Sequence, residues 1–230
     1  MYINDLPNFI QNSTLLIYAD DCKLSMQIKS PFEAFRLQAD LNRLVDWGNI
    51  NHLPLHIDKY KVLRFFRIFE LYLFEYKISG SFLEAVNTFT DLGVIYSYDF
   101  SFLPHLNIVI SKAFRNLGWI KRSFRPFTDI GAIKVLYNSF VLPPLIFASV
   151  ICSPYTKNSI DRIERVQHGL LRYLAFKNGI PMSFHDHDYR AHSVNFNVPT
   201  IMSLHSYHDC TLAYLIYKNC AKKMLKYINK

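Results

Sequence analysis

The chain has 230 residues, 50% of them hydrophobic and 16% aromatic, which excludes an intrinsically disordered segment and allows one large domain or two small ones. Its net charge of +8 is unevenly spread: residues 1–100 hold 9 Lys and Arg against 12 Asp and Glu, whereas residues 101–230 hold 17 against 6. The second half is therefore expected to face a polyanion or an acidic membrane surface. Cys22, Cys152, Cys210 and Cys220 form no CxxC pair and read as reduced thiols rather than a disulfide framework.

The first residues, MYINDLPNF, lack an apolar leader and read as the middle of a domain, so the expectation is an intracellular fragment, in cytoplasm or nucleus. STLLIYA (13–19) reads as a strand, and CKLSMQI (22–28) alternates apolar and polar residues like a half-buried one. Together they predict a β-hairpin with Asp20 and Asp21 at its tip. Ser30 and Pro31 start a helix whose apolar stripe runs through Phe35, Leu41, Leu44 and Val45 to Trp47. Residues 62–69, 71–80 and 90–97 read as further strands, mainly consecutive. After residue 100 the pattern turns helical, over 105–125, 129–150, 157–176 and 201–226. The apolar stretch 135–155 is interrupted by Asn138, Ser139 and Pro143-Pro144, so it predicts a buried helix broken at the prolines rather than a membrane span. Residues 178–200 read as a polar, His-rich loop. The fold class expected is α+β, with a mixed unit over 1–98 and a helical unit over 99–230.

Asp20 and Asp21 stand in an apolar, β-prone run, where burying an unpaired charge is costly. Taken alone, they read first as a polar turn, since Asp is a common turn residue. Their chemical alternative is a carboxylate pair presented by a tight turn between two buried strands. Such a pair supplies the oxygen ligands that Mg²⁺ takes, alongside phosphates and water.

In its wider setting the pair resembles the reverse transcriptase of non-LTR retrotransposons, the LINE/jockey-like group. The family's Tyr-x-Asp-Asp signature stands here as Tyr18-Ala19-Asp20-Asp21. YINDLP (2–7) looks like the segment before that hairpin, and LNRLVDW (41–47) looks like the palm helix. LPLHIDKYKVLRFFR (53–67), YKISG (76–80) and DLGV (91–94) follow in the family's order. So do SFLPHLN (101–107), KAFRNLGWIKRSF (112–124), LYNSFVLPPLIFAS (136–149) and IERVQHGLLRYL (163–174).

The resemblance implies an RNA-directed DNA polymerase: a partial palm of hairpin, helix and short antiparallel strands, then an α-helical thumb and connection. It implies RNA template and DNA primer as partners and Mg²⁺, with Mn²⁺ a possible substitute, as cofactor. Asp20 is then a direct metal ligand, Asp21 its partner, and Tyr18 a neighbour of the primer end. Lys59 matches the lysine that contacts the incoming phosphates or protonates the pyrophosphate leaving group; the competing reading is a solvated loop lysine. The sequence departs from the family in several places, and the family's fingers are missing from it. No third catalytic aspartate stands on a strand ahead of the hairpin. His56-Ile57-Asp58-Lys59 replaces Asn-x-x-Lys, Leu145-Ile146-Phe147-Ala148-Ser149 replaces Leu-Glu-Tyr-Ala-Ser, and Cys152 stands for a Trp. The expectation is a chain that does not polymerise DNA by itself; the alternative is a non-catalytic nucleic-acid-binding remnant.

The basic half supplies the binding candidates. At about 100° per residue, Ile110, Ala113, Leu117 and Ile120 share one side of a helix, while Lys112, Arg115 and Arg122 lie opposite with Trp119 among them. In the next basic helix Arg162, Arg165 and Arg172 oppose Ile163, Leu170, Leu171 and Leu174. Cations in such stripes contact phosphates without reading sequence, and Trp119 could stack on a base. The plainer reading is an ordinary charged face turned to water. The histidines at 185, 187, 192, 205 and 208 match no standard zinc spacing, and His205 and His208 are expected on one face of the last helix.

Overall fold

The computed structural model describes residues 3–66, 73–180 and 189–228, with side chains as far as residue 219. It is a mixed α+β chain that divides into two compact units, Met1–Thr90 with Ser97–Phe100, and Asp91–Tyr96 with Ser101–Lys230.

In the first unit, β1 (Thr14–Tyr18) and β2 (Asp21–Ser25) form an antiparallel hairpin in which Tyr18 pairs with Asp21. Only Ala19 and Asp20 remain for the loop. Ala19 takes φ +55°, a positive value at the first loop position of the kind that lets a two-residue turn follow the strand twist. Pairing puts Leu15, Ile17, Cys22 and Leu24 on one face and Leu16, Tyr18, Asp21 and Lys23 on the other. The first face packs, through Leu15, Cys22 and Leu24, into a cluster around Leu6, Leu44 and Trp47. The alternation that predicted a half-buried β2 is matched by this one-sided packing. A two-stranded ribbon can cover only one face here, and Leu16 and Tyr18 stay exposed.

The helix that supports the hairpin is α1 (Pro31–Ile50). Pro31 occupies its first turn, where no N–H is needed, and the Glu33 carboxylate accepts the Ser30 N–H at 2.6 Å in a capping box. Ala34, Leu41, Leu44 and Trp47 form its buried stripe. Gly48 ends that stripe because the returning chain crosses it: a Cβ there would lie 2.9 Å from the Leu53 carbonyl oxygen.

The remaining strands are short. β3 (Lys61–Leu63) pairs with β6 (Glu84–Val86), and β4 (Lys77–Ile78) with β5 (Ser81–Phe82). The β3–β6 pair is parallel, against the expectation of antiparallel neighbours. The predicted strand over 90–97 is a hairpin, β7 (Thr88–Asp91) and β8 (Val94–Ser97), turning at Leu92 and Gly93 with φ of +46° and +82°. Two consecutive positive φ values make the tight turn that Gly93 permits. The strands expected at 62–69 and 71–80 lie partly outside the described residues.

The second unit is helical: α2 (Leu103–Ser123), α3 (Ile130–Leu136), α4 (Leu142–Ile146), α5 (Ser149–Cys152), α6 (Lys157–Lys177), α7 (Tyr189–Asn195) and α8 (Ile201–Ile228). One core joins Leu106, Ile110, Leu117 and Ile120 of α2 to Ile163, Leu170 and Leu174 of α6. Pairs between these helices ascend together. Arg162 donates to Asn107 at 2.5 Å, Gly169 meets Leu117, and the Tyr173 hydroxyl donates to the Phe124 carbonyl at 3.3 Å, so α2 and α6 run parallel.

The helix expected over 129–150 is interrupted. Between α3 and α4 the chain widens into a π-helical turn, Tyr137–Val141. Pro143 and Pro144 then sit in the first turn of α4 and cannot donate back to the preceding carbonyls. Asn116 of α2 supplies one missing donor, giving its side-chain N–H to the Phe140 carbonyl at 2.6 Å. The chain turns after the prolines rather than at them, with Phe147 extended and Ala148 left-handed at φ +53°. Residues 189–195 form the helix α7 instead of a loop.

Candidate functional site

Asp20 and Asp21 sit where the sequence implied, at the bend of the β1–β2 hairpin, and both are exposed. Their surroundings differ. Asp21 heads β2 on the open face opposite Tyr18, which is 67% exposed. Asp20 borders a pocket of about 300 Å³ whose walls include Leu6, Cys22, Trp47, Leu55 and Tyr60. Burial and then the Asp21 charge push the Cys22 thiol up, and burial, helped by Cys22, pushes Tyr60 up to about 12, so both stay neutral at pH 7.

Lys59 ends a single 3-10 turn, Ile57–Lys59, and is exposed. Its neighbour Tyr60 packs with Leu15 and Cys22 in the cluster beneath the hairpin, which holds the lysine-bearing turn beside the same pocket. Among the described residues no group of three or more His, Cys, Asp and Glu side chains is placed to hold a metal ion.

The residue that fixes the hairpin is one that sequence reasoning missed. Asp40 of α1 is fully buried. Its Oδ1 accepts from Gln11 N at 3.2 Å, Asn12 Nδ2 at 3.2 Å and Arg43 at 2.6 Å. Its Oδ2 accepts from Asn12 N at 2.9 Å, Ser13 N at 2.7 Å and the Ser13 hydroxyl at 2.8 Å. Burial alone would raise this carboxyl, but the Ser13 hydroxyl and the three backbone N–H groups hold it down to about 2. The carboxylate thus clamps residues 11–13, immediately ahead of β1, onto α1. The signal in the sequence was an aspartate within the apolar stripe of Leu37, Leu41 and Leu44, where polar residues are rare unless paired.

In the second unit Lys112, Arg115, Trp119 and Arg122 of α2 are exposed, as are Arg165 and Arg172 of α6. Arg162 is half-buried and already bonded to Asn107. Trp119, 45% exposed, leans edge-on against Phe124 and Phe140, with centroids 6.1 and 5.9 Å away. Among the described residues none of Lys112, Arg115, Arg122, Arg165 and Arg172 forms an ion pair. Sequence reasoning passed over Lys121 and Tyr173, which occupy the seam between α2 and α6.

His185 and His187 lie outside the described residues. His205 is buried, with Nε2 2.8 Å from the Leu145 carbonyl and Nδ1 3.1 Å from the Ser153 hydroxyl. A carbonyl can only accept, so Nε2 carries a proton, and in the neutral ring Nδ1 then accepts from the serine. His208 contacts Ser149 at 3.0 Å. Both histidines thereby dock α8 onto α4 and α5. No helix among the described residues is long and apolar enough to cross a membrane.

Compared with protein-family models, curated proteins and solved structures, the chain finds no match.

Proposed function

We propose that this chain is a palm-and-thumb portion of an RNA-directed DNA polymerase of the non-LTR retrotransposon type, one that holds nucleic acid but does not extend a primer by itself. The observation that carries the reading is Tyr18-Ala19-Asp20-Asp21 folded into a two-residue turn with both carboxylates exposed. The family's later motifs follow it in order along the chain.

Two exposed carboxylates are hard oxygen donors and fit one hydrated Mg²⁺ or Mn²⁺, with Asp20 as the direct ligand and Asp21 beside it. Such an ion supplies charge neutralisation on the transferring phosphates. The fit stops at one ion. Two adjacent residues on a turn, with no third carboxylate grouped with them among the described residues, do not surround a second. Lys59 is the cation for the incoming phosphates, and Tyr18, opposite Asp21, is the neighbour of the primer end. The basic faces of α2 and α6 hold the RNA template and DNA primer through their phosphates.

Primer extension on an RNA template, with Mg²⁺ or Mn²⁺, tests the reading. No incorporation is expected; incorporation that disappears in Asp20→Ala overturns the proposed incompetence.

A further inference from the structure

We propose that Trp119 of α2 is the platform on which one unpaired base of a single-stranded nucleic acid stacks, with the phosphate beside that base held by Arg115. The inference rests on the nucleic-acid reading of the same helix and deepens it by naming a single strand as the ligand. Bases inside a duplex offer no free ring face along their length.

Trp119 is not an isolated surface ring. It lies near-perpendicular to Phe124 and Phe140, at interplanar angles of 77° and 71° and centroid distances of 6.1 and 5.9 Å. Phe127 extends the row, 5.4 Å from Phe124. Such packing is a favoured arrangement of aromatic pairs and holds the indole in one orientation. Its supports come from two places in the chain. Phe124 is the C-terminal cap of α2, and Phe140 belongs to the π-helical turn Tyr137–Val141. In that turn Tyr137 and Val141 are buried while Phe140 is 49% exposed. The Asn116 side chain, one helical turn before Trp119, ties the Phe140 carbonyl to α2 at 2.6 Å. Turns of this kind occur frequently at functional sites.

The ring is fixed without being covered: Trp119 keeps 45% of its surface in solvent. The charge around it selects the occupant. Residues 101–128 hold five basic side chains, Lys112, Arg115, Lys121, Arg122 and Arg125, and no acidic one. Arg115 stands four residues before Trp119, so the two are neighbours on the helix surface, with Cβ atoms about 5–6 Å apart. Arg115 is exposed and has no ion pair among the described residues. It lies mid-helix, so a phosphate there stays clear of the unpaired carbonyls at the C-terminal end of α2. A base is neutral, and its stacking on Trp119, nearer that end, carries no such penalty. An aromatic ring and a cation one turn apart match the alternating base and phosphate of a single strand. An apolar protein segment would leave the cations unmatched.

Filter binding of the full chain to a single-stranded oligoadenylate, against an abasic strand of the same length, is the test. The parent is expected to bind the oligoadenylate more tightly. Trp119→Ala is expected to lose about tenfold for the oligoadenylate and nothing for the abasic strand, a loss within the range of one stacked base, whereas Trp119→Phe keeps most of the affinity. Arg115→Gln lowers the slope of log K on log salt by about 0.7 for both strands.

Fluorescence reads the same contact without altering it. In a Trp47→Phe chain only Trp119 emits, because the sequence has two tryptophans. The oligoadenylate is expected to quench that emission; the abasic strand and an oligoadenylate–oligouridylate duplex are not. Should Trp119→Ala fail to fold, this comparison decides alone. Equal losses for both strands in a folded Trp119→Ala, or quenching that does not distinguish them, refute the platform, while salt-dependent binding of both would keep the nucleic-acid reading. Absence of binding by either strand at low salt overturns both. If Trp119→Ala instead lowers the sedimenting mass of the free chain, the aromatic row is a contact between copies and the platform is refuted.

Discussion

The carboxylate of Asp40 is fully buried and accepts six hydrogen bonds, three of them from backbone N–H groups of residues 11–13. Its pKa is about 2 in the folded chain against an ordinary 3.8. Because the folded value is the lower one, the stabilisation is complete above about pH 4 and is lost as pH falls toward 2. The displacement is equivalent to about 2 kcal/mol. Asp40→Asn replaces an acceptor oxygen with a donor facing donors and is expected to destabilise the first unit by about 2–4 kcal/mol at pH 7. The difference from the parent should shrink as pH approaches 2. Urea unfolding followed by Trp47 fluorescence, in a Trp119→Phe background, measures it; a difference that is equal at both pH values refutes the clamp. That Asp20 and Asp21 stand at a hairpin bend was legible, because strand alternation and turn residues are local signals. Asp40 was not, because the groups of residues 11–13 that it accepts from lie some thirty residues away and follow no local spacing.

Among the elements, the hairpin and the long helices were legible because their patterns are local: alternation for β2, and an apolar stripe for α2 and α6. The interruption of 129–150 was half legible. Two prolines announce a break, but its form depends on α2. Asn116 satisfies the Phe140 carbonyl and so permits the π-helical turn that leads into Pro143 and Pro144. Asn116→Ala is therefore expected to cost about 0.5–1.5 kcal/mol, the net worth of one such hydrogen bond. Chemical denaturation followed by Trp119 fluorescence, in a Trp47→Phe background, checks it, and an unchanged midpoint rules the role out. The parallel pairing of β3 with β6 had no sequence signal, since alternation says which face is buried and never which strand lies alongside.

At the scale of the whole molecule, charge is the property that bears most on function. The first hundred residues are slightly acidic and the rest carry 17 basic against 6 acidic residues. In the folded second unit, Arg115 and Arg122 of α2 and Arg165 and Arg172 of α6 are exposed and form no ion pair among the described residues. Surface helices usually mix both signs, so an unbalanced cationic face favours a polyanion. Replacing these four arginines with Gln is expected to reduce the salt slope of single-stranded RNA binding by about 0.7 for each phosphate that is no longer neutralised. Equal slopes before and after would show that the face does not touch the phosphates.

Composition, charge asymmetry and short-range periodicity by themselves determined that this is an α+β chain, that a carboxylate pair stands at a hairpin bend, and that two basic amphipathic helices follow. These are properties of neighbours in sequence, and local backbone preferences express them directly. Only the tertiary structure decided that Asp40 clamps residues 11–13 ahead of β1, that Asp20 rather than Asp21 borders the pocket with Tyr60, and that Lys121 and Lys177, from different helices, both lie near the Tyr173 ring. Each of these joins residues far apart in the chain, whose meeting depends on how helices and strands pack and on no pattern within either one.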